Sequence, residues 1–293
     1  AVSAGSLGFG TTLAGGTAGA GAYEGFDYPD IVGNLRIDQA WGSAQIMGAL
    51  HGVAGQYYAG TAANTLVAGT EGLGHPNDEF GYAIGAGIKL NAPMIGKGDY
   101  LQAMISYSHG ASRYNFMNPN FNPGIRDGNT AAFGVMSDAV YGGGVSATGV
   151  DTRTGLELTN TWALNAAYEH FWNAKWKTSV YGGYAAVMYG ERANAMLCVS
   201  QGFGAVGSGV GSAAVAAAGC DNDWNVWWVG SRTQWNVTKD FYLGVDVIYQ
   251  KLEGMSTPGG VSTLLVPGTA RFFANGGVDN IGFRVRAHRD FYP

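Results

Sequence analysis

Charged residues are scarce in this sequence, and long apolar runs are absent. Asp, Glu, Lys and Arg make up 13% of the 293 residues, about half the share found in an average soluble domain. A surface with so little charge is suited to contact with lipid. Yet no span has the apolar density of a membrane helix, and a mean hydropathy of zero is too low for a bundle of such helices. Both features fit a transmembrane β-barrel, in which every second strand residue faces water.

Basic clusters, metal-ligand spacings and catalytic motifs are also missing. The net charge is −5 and the 16 basic residues are scattered, which argues against nucleic-acid binding. The five histidines share no metal-ligand spacing, so no metal site is expected. The segment 202–207 matches a dinucleotide fingerprint by letters alone, because no strand precedes it and no helix follows it. The sequence therefore does not predict an enzyme.

Cysteine occurs only twice, as Cys198 and Cys220. Their polar surroundings suit a disulfide that closes a surface loop in an oxidising compartment, which is worth about 3 kcal/mol in the chain-entropy model. Two free thiols are the alternative, and a zinc site is not predicted because no further ligand accompanies the pair. The uncharged segment 203–219 between them is rich in Gly, Ala, Ser and Val, and its glycines favour a surface loop over a helix.

Pairs of alternating segments, each about ten residues long, recur along the chain as they do in outer-membrane barrels. In the clearest segment Leu243, Val245 and Val247 alternate with Gly244 and Asp246. Period two over both arms of a pair indicates a sheet with one wet face and one apolar face. Four pairs and a final strand are expected, within 33–53, 79–112, 156–189, 224–252 and 281–291.

The connections between these segments alternate in length. Those after odd-numbered segments are short, whereas those after even-numbered segments are long and rich in Gly, Asn, Ser and Thr. Outer-membrane barrels combine short periplasmic turns with long external loops in this way, and a soluble sandwich distributes loop lengths more evenly. The pattern predicts an all-β fold, an antiparallel transmembrane β-barrel in a single domain over 1–293.

Tryptophan lies at the ends of the predicted strands, some residues beside short turns and others toward the long loops. Aromatic residues at both strand ends are typical of the girdles at the two membrane interfaces. Packing inside a soluble sandwich core is the alternative that this placement disfavours. The predicted girdle residues are Trp41, Trp162, Trp172, Trp176, Trp224 and Trp235.

Charged residues on the wet face of the strands are the candidate pore lining. A Lys or Arg on the lipid face at mid-depth costs about 2–4 kcal/mol, so charged strand residues should face the lumen. Opposite charges on adjacent strands would create a transverse field that favours polar solutes. Alternatively, pairs such as Arg36 and Asp38 merely neutralise each other in the wall. The candidates are Arg36, Asp38, Lys89, Glu157, Arg232, Asp246, Arg284 and Arg286.

Several long stretches resemble the porin family of alphaproteobacteria, in particular that of rhizobia and their relatives. They are PDIVGNLRIDQAWGSAQIMGALH, NAAYEHFWNAKWKTSVYGGY, VGSRTQWNVTKDFYLGVDVIYQKL and the ending FRVRAHRDFYP, within a similarity that covers 28–293 and includes the cysteine loop. The resemblance implies a homotrimeric general-diffusion porin of roughly sixteen strands that passes small hydrophilic solutes and ions. It also implies an outer-membrane location, contact with lipid and lipopolysaccharide, and no cofactor.

The resemblance further implies that part of the family pattern is absent. No leader with a basic and an apolar region is visible, and about seven further strands are expected before the stretch that begins near Pro29. The family's inward-folded loop, which narrows the pore, would lie in that absent part. A non-conducting structural or adhesion barrel is the alternative function. A barrel enzyme is a third, although His75 and His109 have no nucleophile beside them.

Overall fold

The structure is a computed structural model. It describes the residues 2–3, 24–25, 28–60, 74–115, 124–127, 130–134, 136–142, 144–145, 153–200, 221–254, 261–262, 272–274 and 277–291. The fingerprint-like segment 202–207, the segment 203–219 and Cys220 lie outside these ranges.

Nine long strands form one antiparallel sheet. They are β1 (Ile31–Gln39), β2 (Gly42–Val53), β3 (Glu79–Asn91), β4 (Tyr100–His109), β5 (Asn160–Phe171), β6 (Trp176–Met188), β7 (Trp224–Asn236), β8 (Phe241–Glu253) and β9 (Val278–Arg289). Each strand pairs with its neighbours in chain order, and β1 and β9 form the two edges. The prediction of four hairpins and a final strand is confirmed.

The pairing register separates an apolar face from a polar face, because residues directly opposite each other point to the same side. On one face Leu35 pairs with Ile46, and Ile105 pairs with Leu164. These side chains are exposed, Leu35 to 73%, and so much exposed apolar surface on one face is the mark of a lipid-facing wall. For β6, whose sequence is ambiguous, the register assigns Gly183 to the polar face.

Short turns connect the strands at one end of the sheet. Gly42, which begins β2, has φ +144°, and a Cβ there would lie 1.9 Å from the Lys89 carbonyl oxygen. Only glycine fits this turn, because it combines a positive φ with a close backbone approach. The longer 92–99 link is held by Asp99, whose carboxylate accepts hydrogen bonds from the Phe171 amide at 2.9 Å and the Tyr168 hydroxyl at 2.6 Å.

The long connections at the other end contain a helix and several short strands. Helix α1 (Glu191–Ser200) follows β6, where no helix is expected from the sequence, and a 3-10 turn spans Ser112–Tyr114. Within the described ranges no helix is long and apolar enough to span a membrane. The short strands are Val2–Ser3, Ala59–Gly60, Gly124–Asp127, Thr130–Phe133, Ala139–Tyr141, Gly144–Val145, Glu157–Leu158, Val261–Ser262 and Phe272–Ala274.

The connection between β4 and β5 folds back over the polar face of the sheet. Its segment Ala139–Tyr141 packs with Val53 and Tyr58 in a small apolar core, and its hairpin 124–133 contacts β9. Polar-face residues at the long-loop ends of the strands are consequently enclosed. Six of them are 2% exposed or less: Val53, Ser108, Thr161, Val187, Trp224 and Leu252.

Candidate pore lining

Three strands place a group of charged side chains side by side on the polar face. In the register Arg232 of β7 lies opposite Asp246 of β8, which lies opposite Arg284 of β9. The Asp246 carboxylate accepts a hydrogen bond from the Tyr181 hydroxyl at 2.5 Å and lies 3.5 Å from the Arg284 guanidinium. Arg286 also lies on this face, with its guanidinium 5.9 Å from the Tyr242 ring. This part of the wall therefore carries three arginines and one aspartate.

Near the other edge of the sheet, on β1 and β3, the net charge of the polar face is closer to zero. Arg36 and Asp38, two residues apart on β1, form an ion pair of 2.7 Å, so these two neutralise each other as the alternative interpretation had it. Lys89 of β3 lies 4.2 Å from the centre of the Tyr100 ring. Since both arginine-rich and neutral regions lie on one face, a solute along this wall meets an uneven charge distribution.

A second ion pair on the polar face was missed by the sequence analysis. Glu169 of β5 accepts hydrogen bonds from Lys177 at 2.9 Å and Ser179 at 2.8 Å. The alternation of Glu169 with the aromatic Tyr168 was the available signal, since it places the carboxylate on the wet side. Lys177 sits beside the short turn, where the alternation of β6 is least clear.

Between the charged groups the polar face contains an open concavity of about 520 Å³. Its border combines long polar side chains with aromatic rings and small residues. Among the residues that line it are Arg36, Gln45, Lys89, Gln102, Asn165, Tyr181 and Trp228. Two of the predicted charged residues, Arg36 and Lys89, therefore share one water-accessible depression.

Glu157, also predicted to line the pore, is not on the polar face of the nine long strands. Glu157 lies outside the nine-stranded sheet, in a short strand that pairs with Ala139–Tyr141. Its carboxylate forms a 3.0 Å ion pair with Arg192 of α1. The cause lies at Thr159, whose backbone amide donates to the Asp138 carbonyl. This hydrogen bond ties the chain to the folded-back connection before β5 begins.

Most of the predicted girdle tryptophans occupy the apolar face or the turns. At the short-turn end Trp176 and Trp235 stack with ring centres 5.4 Å apart, and at the other end Trp162 stacks on Tyr184 at 4.7 Å. Trp41 and Trp172 are exposed at the short turns. These five positions agree with two interfacial belts, although their contact with lipid stays a prediction.

Trp224 differs from the other five predicted girdle residues in its face and its burial. Its register position, opposite Val187, puts it on the polar face, where it is 2% exposed. A Cβ added to Gly134 would lie 2.3 Å from the Trp224 ring, so the folded-back connection covers this tryptophan. Trp224 does lie at a strand end, but it is three residues from Trp227, and an odd separation puts the two side chains on opposite faces.

The folded-back connection is anchored to the strands through Asp138. This carboxylate is 1% exposed and accepts hydrogen bonds from the amide and hydroxyl of Ser112 at 2.6 and 2.7 Å. It lies 3.5 Å from Nε2 of His51, whose Nδ1 lies 2.7 Å from Asp30. Burial raises the pKa of Asp138, but the hydrogen bonds from His51 and Ser112 outweigh this effect and hold the pKa at about 2.

From the resemblance, an inward-folded loop is expected only in the absent part of the family pattern. Here a connection of the described part itself packs on the polar face. The alternation that reveals strands ends near Ala111 and resumes at Asn160, and a glycine-rich loop composition does not tell whether a loop folds inward or outward. No strand-level signal could have found it.

Other candidate sites are few in the described ranges. Glu24, His75 and Asp78 each place one potential metal-ligand atom within 4.8 Å of the others, but all three are exposed. Cys198 is buried in α1 and is not a free thiol. Because Cys220 lies outside the described residues, the Cys198–Cys220 disulfide stays a prediction.

The chain is similar to known proteins in sequence and, in part, in structure. The sequence profile described as the porin subfamily matches residues 6–269. The outer membrane channel DcaP of Acinetobacter baumannii is structurally similar with a TM-score of 0.47 and 11% identity, over 89% of this chain and 53% of that one. The chain thus spans about half the length of that channel. None of the curated proteins compared with the sequence matches it. The profile covers most of the chain, which therefore belongs to the porin subfamily of bacterial outer-membrane β-barrel proteins.

Proposed function

We propose that the chain forms part of a water-filled general-diffusion channel that passes small hydrophilic solutes and ions across the outer membrane. The observation that carries this proposal is the shared face of the charged residues. Seven of the eight predicted pore-lining residues, all but Glu157, lie on the polar face in the strand register. Large apolar side chains occupy the other face. Such a division suits a wall between lipid and water.

The proposal includes a closed barrel of a single domain, roughly sixteen strands in size, assembled as a homotrimer in a membrane of lipid and lipopolysaccharide. These parts are supported by the sequence resemblance and by family membership. The proposed channel needs no cofactor. A barrel enzyme gains no support from a family of porins.

The charge distribution gives the proposed channel a direction of selectivity. Arg232, Arg284 and Arg286 outnumber Asp246 on β7 to β9, whereas Arg36 is paired with Asp38. Fixed positive charge along an aqueous wall raises the local anion concentration, and salt screens this effect over about 10 Å at 0.1 M. We therefore expect this wall to favour anions at low ionic strength.

Planar-bilayer recording of the full-length protein tests the proposal. Ohmic conductance steps are expected, and Arg284→Gln with Arg286→Gln should shift the zero-current potential in a salt gradient toward cation selectivity. Arg192→Gln is the control, because it removes one arginine charge from α1, where Arg192 is paired with Glu157, and it is compared with each single substitution as well as with the double one. Absence of ohmic steps would refute the channel and favour the structural or adhesion barrel. An unchanged zero-current potential would show that the two arginines do not act on permeating ions.

A further inference from the structure

Trp228 is a large aromatic residue on the polar face of β7, four residues from the buried Trp224. The register places it opposite Gly183 of β6 and Gln250 of β8. A Cβ added to Gly183 would lie 2.3 Å from the Trp228 ring. The indole therefore covers the glycine and lies along the wall.

Tyr181 and Gly230 repeat this arrangement in the adjacent row of the register. A Cβ added to Gly230 would lie 2.5 Å from the Tyr181 ring, and the Tyr181 hydroxyl is fixed by its hydrogen bond to Asp246. Two neighbouring glycines thus support two aromatic rings on adjacent strands. Both rings border the concavity of the polar face.

Unpaired amides flank the indole on both sides. Asn165 lies across Gly183 from Trp228, with its Oδ1 2.8 Å from the same added Cβ, and Gln250 lies directly opposite Trp228 on β8. Among the described residues, neither amide side chain nor the indole N–H has a hydrogen-bond partner. From Asn165 to Gln250 the row spans three strand spacings, roughly 14 Å.

Aromatic cover of a glycine is by itself a structural device that stabilises a sheet. It accounts for the ring over Gly183 but not for the two amide side chains that lie beside it on the same polar face. The row from Asn165 to Gln250 also carries no charge, whereas Arg232 of β7 and Arg284 of β9 lie one row of charged residues away, level with Asp246. The arrangement therefore suits a neutral ligand with an apolar face and several hydroxyls.

We propose that Trp228, together with Tyr181, Asn165 and Gln250, forms a low-affinity carbohydrate subsite in the channel wall. The C–H groups on one face of a pyranose ring pack on the indole, and the sugar hydroxyls pair with amides that can both donate and accept. This subsite rests on the proposed channel function, because it places the sugar on the path of diffusion.

The test uses the full-length porin in planar bilayers with maltotriose as the probe. The wild type should show a saturable decrease of ion current as the sugar concentration rises, whereas polyethylene glycol of similar size should reduce the current without saturation. Trp228→Leu keeps apolar bulk over Gly183 but removes the aromatic face, and it should raise the half-blocking concentration by about two- to tenfold. Trp228→Phe should restore part of the difference. Trp162→Leu, on the apolar face, should leave the block unchanged.

Saturation-transfer NMR of maltotriose with the detergent-solubilised protein measures binding whether or not the channel conducts. Transfer to the sugar ring protons that is lost in Trp228→Leu supports the subsite. No transfer in the wild type, or equal transfer in the wild type and Trp228→Leu, overturns it. Missing conductance with intact transfer would instead refute the proposed channel while leaving the subsite in place.

Discussion

Removal of the Asp138 carboxylate should release the folded-back connection from the wall. Asp138 is 1% exposed and accepts two hydrogen bonds from Ser112, at 2.6 and 2.7 Å. It also lies 3.5 Å from the buried His51. In Asp138→Ala the Ser112 amide loses its acceptor, and a buried unsatisfied group costs about 1–3 kcal/mol. Loss of one partner of a buried charged pair costs about 3–5 kcal/mol.

Water can enter at the long-loop end and replace some of these contacts, so the lower end of this range applies. We expect the anchored state to lose about 3 kcal/mol, which reduces its population relative to the released state roughly 100-fold. In bilayer recordings of the full-length protein, Asp138→Ala should raise the mean single-channel conductance and the open-channel noise. The connection should also become more sensitive to added protease.

Two variants control this experiment. Asp138→Asn keeps an oxygen that can accept from the Ser112 amide, so its effect should be smaller than that of alanine. Asp78→Ala removes an exposed carboxylate near the same end of the sheet and should change neither readout. Conductance, noise and protease sensitivity that are all unchanged in Asp138→Ala would refute the anchoring role of this residue.

Three further predictions concern the turns and the loop. Gly42→Ala should impair folding, because φ is +144° and the new Cβ would lie 1.9 Å from the Lys89 carbonyl oxygen. The control Gly33→Ala should fold normally, because nothing lies within 4 Å of its added Cβ. The heat-modifiable gel shift compares the folding of the two variants. Asp99→Asn should lower the unfolding temperature at pH 7. Burial raises the pKa of Asp99, but the hydrogen bonds from Phe171, Tyr168 and His170 outweigh this effect and lower the pKa to about 2. The contribution of the Asp99 carboxylate to stability is therefore present above the unfolded pKa of about 3.9 and is lost as the pH falls toward 2. A difference in unfolding temperature between the wild type and Asp99→Asn that persists at pH 2 contradicts this explanation. If Cys198 and Cys220 are bonded, reduction should lower the free energy of unfolding by about 3 kcal/mol, and an unchanged denaturation midpoint would indicate that the bond is absent.

The strands could be predicted from the sequence because their signal is local. Each strand alternates over nine to thirteen residues, and lipid on one side with water on the other enforces that period. The faces of Arg36, Arg232 and Arg284 follow from the same alternation. A short turn such as the one at Gly42 is equally local, since a few residues decide it.

The structure differs from the sequence-based predictions where a contact between distant parts of the chain decides the position of a residue. Glu157 fits the alternation of β5, but the pairing of β5 does not extend back to it, because the Thr159 amide donates a hydrogen bond to the Asp138 carbonyl. Trp224 fits a strand end, but only the pairing of β7 with β6 tells which face it occupies. The anchoring of Asp138 on His51 and Ser112 joins three separate segments of the chain, and no periodicity reports such contacts.

On β5 and β7 the polar face divides into three levels at intervals of four residues. On β5 the order is Thr161, Asn165 and Glu169, and on β7 it is Trp224, Trp228 and Arg232. The first residue of each series is enclosed by the folded-back connection, the second borders the open concavity, and the third bears charge. Four strand residues span roughly 13 Å, more than the Debye length of about 10 Å at 0.1 M salt. At physiological salt the row from Asn165 to Gln250 is therefore largely screened from Arg232 and Arg284, so a neutral solute can be held there without the wall losing its selectivity for ions.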